Sequence, residues 1–166
     1  MESKPKKLIV LIGIPGAGKT TLAMKLAEKG FHYLNADAIR LELYGNEAEQ
    51  GDKEEVFSIF FERLEGAMGE GMNIIIDNTN LNPKQRKPII DRAERFGYKD
   101  VQLWLLDIPL DLCLERNKSR ERVVPQDIVA NMFMELNRSG RPKRMEGKVV
   151  IIRPGKDGDY LFFPQA

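Results

Sequence analysis

The segment that constrains this sequence most is Gly13-Ile14-Pro15-Gly16-Ala17-Gly18-Lys19-Thr20, which directly follows the apolar run 8–12. It matches G-x-x-x-x-G-K-[ST] in full, between a strand and a helix, as the pattern requires. Its glycines let consecutive backbone N–H groups turn inward around phosphate oxygens, and the next helix presents its positive N-terminal end. A simple glycine-rich turn would need neither the final Gly-Lys-Thr nor this register. The segment, together with Thr21, therefore predicts a binding site for a nucleoside triphosphate.

Three side chains are predicted to act on the phosphates and their cation. Lys19 would place a positive charge on the β and γ phosphates, and Thr20 offers a hydroxyl to Mg²⁺, which bridges the same phosphates. Asp77 ends the apolar run 74–76 and is predicted to serve the metal, because ligands of such folds bind at the carboxyl edge of the sheet. The alternative is that Asp77 only caps the end of its strand. ATP and Mg²⁺ are the expected cofactors.

Apolar runs of strand length alternate with segments of helical periodicity. The runs are 8–12, 31–34, 73–76, 101–106 and 149–152. Several are apolar at consecutive positions, as strands buried on both faces of a parallel sheet require. Prolines open predicted helices near 109–120 and 125–137. The sequence thus predicts a three-layer α/β fold, a mostly parallel five-stranded sheet with helices on both faces, forming a single domain over residues 1–166.

The composition excludes several classes of protein. The 166 residues are 42% apolar and 31% charged, which is enough apolar material for a core and too much for a disordered chain. The longest aliphatic run, Leu8 to Ile12, is far shorter than the roughly 20 residues of a membrane span. No cleavage site of a signal peptide follows the charged N-terminus, so we expect a cytoplasmic location.

The net charge of +1 hides an uneven distribution of charge. Residues 1–83 carry 9 basic and 13 acidic side chains, whereas residues 84–166 carry 17 basic and 12 acidic ones. Such an asymmetry is typical of a protein with a polyanionic partner, although solvated helical faces would also produce it. We expect the basic side of the molecule, residues 116–144, to face phosphates.

An acceptor site is one interpretation of the segment Asn35-Ala36-Asp37-Ala38-Ile39-Arg40. Asp37 and Arg40 are three residues apart and would share one face of a helix. Asp37 would accept the proton of an attacking hydroxyl, and Arg40 would hold an anionic part of the same substrate. The alternative is that Asn35 and Asp37 only cap a helix while Arg40 is solvated or paired. The spacing alone leaves both interpretations open.

A basic segment over residues 116–125 has the features of a mobile lid. Arg116 and Arg120 are four residues apart and lie on one helical face, and Pro125 opens the next helix. Guanidinium groups of such a lid meet the charge that develops during phosphoryl transfer. A charged surface helix is the alternative.

Taken together, these segments resemble the P-loop polynucleotide 5′-kinases of bacteriophage type and the related kinase modules of RNA repair enzymes. The resemblance covers most of the chain and rests on residues 13–20, 35–40, 79–83, 106–109 and 116–125. It implies an adenylate-kinase-like fold with a helical lid that transfers the γ-phosphate of ATP to the 5′-OH end of DNA or RNA.

The resemblance also implies roles for single residues. It assigns the general base to Asp37, binding of the acceptor phosphate to Arg40, contacts with the transferred phosphate to Lys19 and Arg120, and contact with the nucleotide to Arg116.

The sequence departs from the family pattern in two features, the residue before Thr79 and the length of the lid. The residue before Thr79 is Asn78 where the family has an acid, and the carboxylate lies one place earlier, at Asp77. The lid is shorter by about one residue, which leaves Arg122 as an alternative to Arg120. No Asp-x-Asp-Gly-Thr motif of the fused phosphatase occurs, so kinase activity alone is expected.

Two other functions compete with a polynucleotide kinase. A P-loop kinase acting on a sugar, nucleoside or nucleotide would share every residue on the ATP side. A non-catalytic nucleotide switch is disfavoured, because the segment 117–120 lacks the aspartate of the guanine-reading motif Asn-Lys-x-Asp.

Overall fold

The computed structural model describes residues 6–45, 52–120 and 123–166. The strands in these ranges are β1 (Lys7–Ile12), β2 (His32–Leu34), β3 (Ile74–Asp77), β4 (Asp100–Leu106), β5 (Lys148–Pro154) and β6 (Tyr160–Pro164). The α-helices are α1 (Lys19–Glu28), α2 (Ala36–Tyr44), α3 (Lys53–Gly69), α4 (Pro83–Arg95), α5 (Leu110–Lys118) and α6 (Gln126–Glu135). A π-helical turn, Leu136–Gly140, continues α6. Within these ranges no helix is long and apolar enough to cross a bilayer.

The strands form one sheet in the order β2-β3-β1-β4-β5-β6. The first five are parallel, with β1 at the centre, and β6 runs antiparallel to β5 at the edge. This confirms the mostly parallel sheet. The prediction of five strands missed β6, whose residues Leu161, Phe162 and Phe163 are all exposed. The apolar run 160–163 after the turn residues Asp157-Gly158 is itself typical of the second strand of a hairpin, so local sequence does contain a pattern for β6.

The side chains of β1 alternate between two buried clusters, one on each face of the sheet. Ile9 and Leu11 pack with residues of α1, α5 and α6, whereas Leu8 and Val10 pack with residues of α2, α3 and α4. Helices therefore cover both faces, which confirms the predicted three layers. Because the first five strands are parallel, their carboxyl ends meet at one edge, and the segments that follow β1, β2 and β3 converge there.

A buried arginine supports the start of the loop after β1. Arg86 on α4 donates from Nη1 to the carbonyl oxygens of Asn80 (2.8 Å) and Gly140 (2.7 Å), and its Nε donates to Glu146 Oε1 at 2.8 Å. The side chain of Asn80 in turn donates to the Leu11 carbonyl oxygen at 2.8 Å. The 79–83 motif therefore acts as a support for β1 and the loop that follows it.

Replacing Arg86 with methionine keeps the apolar stem and removes every donor of the guanidinium. The Glu146 carboxylate then loses its ion pair and two buried carbonyl groups lose the Arg86 donor, so we expect Arg86→Met to lower the free energy of unfolding by about 3–5 kcal/mol in urea titrations. Arg95, an exposed residue paired with Glu65, is the control, and Arg95→Met is expected to cost less than about 1 kcal/mol. Equal losses for the two variants would contradict the supporting role of Arg86.

Candidate active site

A cavity of about 550 Å³ opens at the carboxyl edge of the sheet, beside the loop between β1 and α1. Loop 13–20, β2, α2 and the end of α5 contribute its lining, which consists of Gly16, Gly18, Lys19, Thr20, Thr21, Tyr33, Asn35, Asp37, Ala38, Leu41, Arg116 and Arg120. The structure thus brings together the predicted phosphate loop, the predicted general base Asp37 and both arginines of the predicted lid. Arg40 does not line the cavity.

The loop has the backbone conformation that its glycines predict. Gly16 and Gly18 have positive φ angles of 87° and 96°. A Cβ atom on Gly16 would lie 2.3 Å from the carbonyl oxygen of Cys113, so no larger residue fits there. The other predicted members of the loop, Gly13, Ile14, Pro15 and Ala17, are buried and form its base.

The first turn of α1 points its backbone donors at the cavity. Gly18 is the N-cap, and no side chain caps the helix. The N–H groups of the first turn of a helix have no partner within the helix, and they bind anions well. The loop therefore fits a chain of phosphates.

Lys19 is the cation at the centre of the loop. Its Nζ donates to the carbonyl oxygen of Ile14 at 3.1 Å. Desolvation lowers the pKa of Lys19 to about 8, the charge of Asp77 acts in the opposite direction, and Arg120 lowers the pKa further. Lys19 is therefore a cation whose charge is sensitive to pH in the neutral to mildly alkaline range.

Asp77 is buried at the end of β3 and accepts two hydrogen bonds on one carboxylate oxygen. Thr20 Oγ1 donates to Asp77 Oδ2 at 2.8 Å, and Tyr33 Oη donates to the same atom at 2.7 Å. Desolvation and the charge of Asp77 raise the pKa of Tyr33, so its hydroxyl stays a donor. Tyr33 was not predicted. Its position, next to the carboxyl end of β2, was the only indication in the sequence.

The donor set around Asp77 fits Mg²⁺ bound together with a nucleotide. Thr20 and Asp77 place oxygen atoms side by side at the loop, and oxygen is the ligand that Mg²⁺ prefers. In the ranges that the structure describes, no group of three His, Cys, Asp or Glu side chains could hold a metal alone. A magnesium ion would therefore take ligands from phosphates and water as well, which is its usual mode of binding.

In the segment 35–40, the structure assigns the helix cap and the position in the cavity to different residues. Asn35 caps α2, since its Oδ1 accepts a hydrogen bond from the Ala38 N–H at 2.8 Å. Asp37 lines the cavity and forms an ion pair with Arg40. The Arg40 side chain is only 12% exposed, and its Nε is buried without a hydrogen-bond partner. The structure places Arg40 behind Asp37, and the predicted contact of Arg40 with an acceptor anion stays a prediction.

The two arginines at the end of α5 lie beside the loop 13–20. Arg116 Nη1 donates to the Ala17 carbonyl oxygen at 3.4 Å, and Arg120 lies just beyond α5 at the cavity. Arg122, the alternative to Arg120, lies outside the described residues. Whether the segment closes as a lid stays a prediction.

Tyr160 on β6 is a second residue that was not predicted. Its Oη donates to the carbonyl oxygen of Gly18 at 3.1 Å. The two residues are 142 positions apart in sequence, so no local pattern could have indicated their contact.

Several known proteins are similar to this chain. The family described as AAA domain matches residues 8–142. A putative bifunctional polynucleotide kinase/RNA ligase of Autographa californica nuclear polyhedrosis virus is 31% identical over 134 residues, which are 72% of this chain and 19% of the viral protein. A putative adenylate kinase of Pyrococcus furiosus is 30% identical over 164 residues, which cover 83% of this chain and 88% of that protein. The resemblance to polynucleotide kinases is thereby confirmed.

A solved structure supports the fold. A chain of the Pnkp1/Rnl/Hen1 RNA repair complex matches this chain with a TM-score of 0.73 and 18% identity, over 100% of this chain and 50% of that one. At this identity the similarity concerns the fold alone, and it agrees with the predicted α/β architecture.

Tyr33→Phe removes one of the two hydrogen bonds that hold the Asp77 carboxylate. Because a hydrogen bond to a charged group contributes about 1.5–3 kcal/mol, we expect the free energy of unfolding to fall by about that amount. We also expect the turnover of Mg²⁺-ATP to fall about tenfold or more, because the Asp77 carboxylate is no longer held on that side. Tyr44→Phe is the control, since the Tyr44 hydroxyl bonds to the exposed Glu55. Normal turnover in Tyr33→Phe would show that Tyr33 does not position Asp77.

Binding of ATP is expected to weaken as pH rises through about 8, the pKa of Lys19. The negative charge of a bound triphosphate raises the pKa of Lys19 above its value in the free protein, so ATP binds best to protonated Lys19. The affinity for ATP is therefore constant below pH 8 and falls above it. We expect a loss of about tenfold between pH 7 and pH 9 in calorimetric titrations. Lys19→Met is the control and should bind weakly without this dependence. A wild-type affinity that stays constant to pH 9 would contradict the assignment.

Proposed function

The chain belongs to the AAA domain family and is a P-loop kinase, and from this premise we propose that it transfers the γ-phosphate of ATP to the 5′-hydroxyl end of DNA or RNA. The observation that supports this most is that one cavity contains Lys19, Asp37 and Arg120. These are a cation for the donor phosphates, a base for a hydroxyl and a cation for the transferred group.

The donor side holds the triphosphate in place. The backbone N–H groups of residues 16–20 would bind phosphate oxygens, and Lys19 would pair with the β and γ phosphates. Thr20, held by Asp77, would present its oxygen to Mg²⁺. The bound ion would supply charge neutralisation on the phosphates. The glycines permit the backbone conformation that this side requires, and Asp77 holds the Thr20 hydroxyl in place.

The acceptor side supplies the base. Asp37 would accept the proton of the attacking 5′-hydroxyl, and Arg40 would hold its carboxylate in position through their ion pair. Arg120 and Arg116 would neutralise charge on the phosphoryl group as it moves. Positioning and electrostatics together would account for the catalysis.

A kinase that acts on a nucleotide, nucleoside or sugar is the second candidate. The similarity to the putative adenylate kinase favours it, because that match spans 88% of the archaeal protein. The viral polynucleotide kinase relative favours a nucleic-acid end, although the match spans 19% of that protein. The two candidates share every residue on the ATP side and differ only in the acceptor.

The acceptor class is tested by offering labelled ATP with a panel of hydroxyl compounds. We expect label to enter an oligonucleotide with a 5′-OH end and not its 5′-phosphorylated counterpart. AMP, a nucleoside and gluconate complete the panel. Label found only in the small molecules would overturn the proposal in favour of the second candidate.

Asp37→Asn removes the proposed base and keeps its size. We expect kcat for oligonucleotide phosphorylation to fall by about 10²–10⁴ while the Kd for ATP changes less than about threefold. Asp91→Asn is the control, because Asp91 is an exposed residue paired with Lys87 on α4. If Asp37→Asn turned over at a near-normal rate, Asp37 would have no role as a base.

A further inference from the structure

A second groove, of about 730 Å³, lies along one face of β5 and β6. Its lining includes the segment 141–144 and the side chains of Arg153 and Phe163. Phe163 is next to β5, because it pairs with Ile151 in the antiparallel ladder. The groove shares no lining residue with the active cavity.

The groove carries a concentration of positive charge. Arg141, Lys143, Arg144 and Arg153 line it, and no aspartate or glutamate side chain does. Asp107, behind the groove, lies 3.4 Å from Arg141 and 3.6 Å from Arg153. Asp107 thus pairs with two of the four cations.

Two of these cations have no ion-pair partner among residues 6–45, 52–120 and 123–166. Lys143 and Arg144 are exposed, and neither forms an ion pair with a residue that the structure describes. The nearby Glu146 carboxylate is already paired with the buried Arg86. A surface of this charge attracts a polyanion.

An aromatic ring lies among these charges. Phe163 is 42% exposed, and the Arg153 guanidinium lies 5.5 Å from the centre of its ring. Cationic grooves that also contain exposed aromatic rings bind single-stranded nucleic acids, because bases stack on the rings while the cations follow the phosphates. An acidic protein or an anionic membrane would use the charge without needing the ring.

The groove also reaches the edge of the sheet where the active cavity opens. Arg153 lies near the carboxyl end of β5, and Asp107, its partner, directly follows β4. The carboxyl ends of these parallel strands lie at the same edge as the loop after β1.

We propose that this groove binds the sugar-phosphate backbone of a single strand of DNA or RNA, with a base on Phe163, as a contact separate from the active cavity. The identity of the ligand rests on the proposed function. The cations of the groove would hold the strand, and the active cavity would hold its 5′ end.

The test is fluorescence anisotropy of the full chain with a labelled, 5′-phosphorylated 12-nucleotide strand. This probe is not an acceptor, so binding is measured whether or not the kinase reaction takes place. Lys143→Ala/Arg144→Ala is expected to weaken binding roughly tenfold at moderate salt and to make the slope of log affinity against log salt shallower by about 1.4. Lys7→Ala/Lys53→Ala removes the same charge from exposed positions outside the groove and should leave affinity and slope unchanged.

Phe163→Ala tests the stacking contact and is expected to weaken binding at least about fivefold. Phe162→Ala is its matched control, because Phe162 is similarly exposed and packs on Trp104 outside the groove. If Phe162→Ala keeps its affinity, the loss in Phe163→Ala comes from the missing ring in the groove and not from a general disturbance of β6.

Wild-type affinity and salt slope in Lys143→Ala/Arg144→Ala would overturn the proposal. So would binding to vesicles containing phosphatidylserine with none to the oligonucleotide. If the groove variants lose binding as expected but the wild type phosphorylates no 5′-OH oligonucleotide, the groove stands and the proposed function fails.

Discussion

The buried carboxylate of Asp77 is the point on which the site depends. Its side chain accepts hydrogen bonds from Thr20 and Tyr33, and its backbone carbonyl accepts one from the side chain of Asn35, so it joins the start of α1, β2 and the N-terminus of α2. Burying a charge is costly unless donors and opposite charge compensate it, and the two hydroxyl groups and nearby Lys19 do so. The phosphate loop and the acceptor helix are therefore fixed relative to each other.

The sequence predicted correctly those features that depend on the conformation or burial of neighbouring residues. The glycines of the phosphate loop need positive φ angles, and the consecutive apolar runs need burial on both faces, so both could be identified from neighbouring residues. Asp37 and Arg40 were ambiguous because capping and catalysis use the same residue types. The structure shows that Asn35 provides the cap while Asp37 lines the cavity. Tyr33 and Tyr160 were missed because their contacts join segments far apart in sequence, whereas β6 pairs with β5, its neighbour in the chain.

The excess of basic residues in the second half of the sequence is distributed over several different roles in the structure. The excess of basic residues in the second half of the chain predicted a surface that faces phosphates. In the structure, some of these basic residues contact other parts of the protein. Arg86 is buried and donates to backbone carbonyl groups, and Arg116 contacts the phosphate loop. Lys143 and Arg144 remain exposed beside Phe163, and only the tertiary structure brings them onto one groove with Arg153.

If one cavity holds ATP and the 5′ end of a strand together, a bisubstrate analogue will occupy both positions at once. In this compound a dinucleotide is joined at its 5′ oxygen, through a phosphate chain, to adenosine. We expect the analogue to bind at least about a hundredfold more tightly than ATP, because joining the two ligands removes the entropic cost of binding the second. Lys19→Met is expected to weaken this binding, because Lys19 supplies the positive charge that pairs with the phosphate chain. An analogue that binds no more tightly than ATP would show that the cavity does not hold the two ligands together.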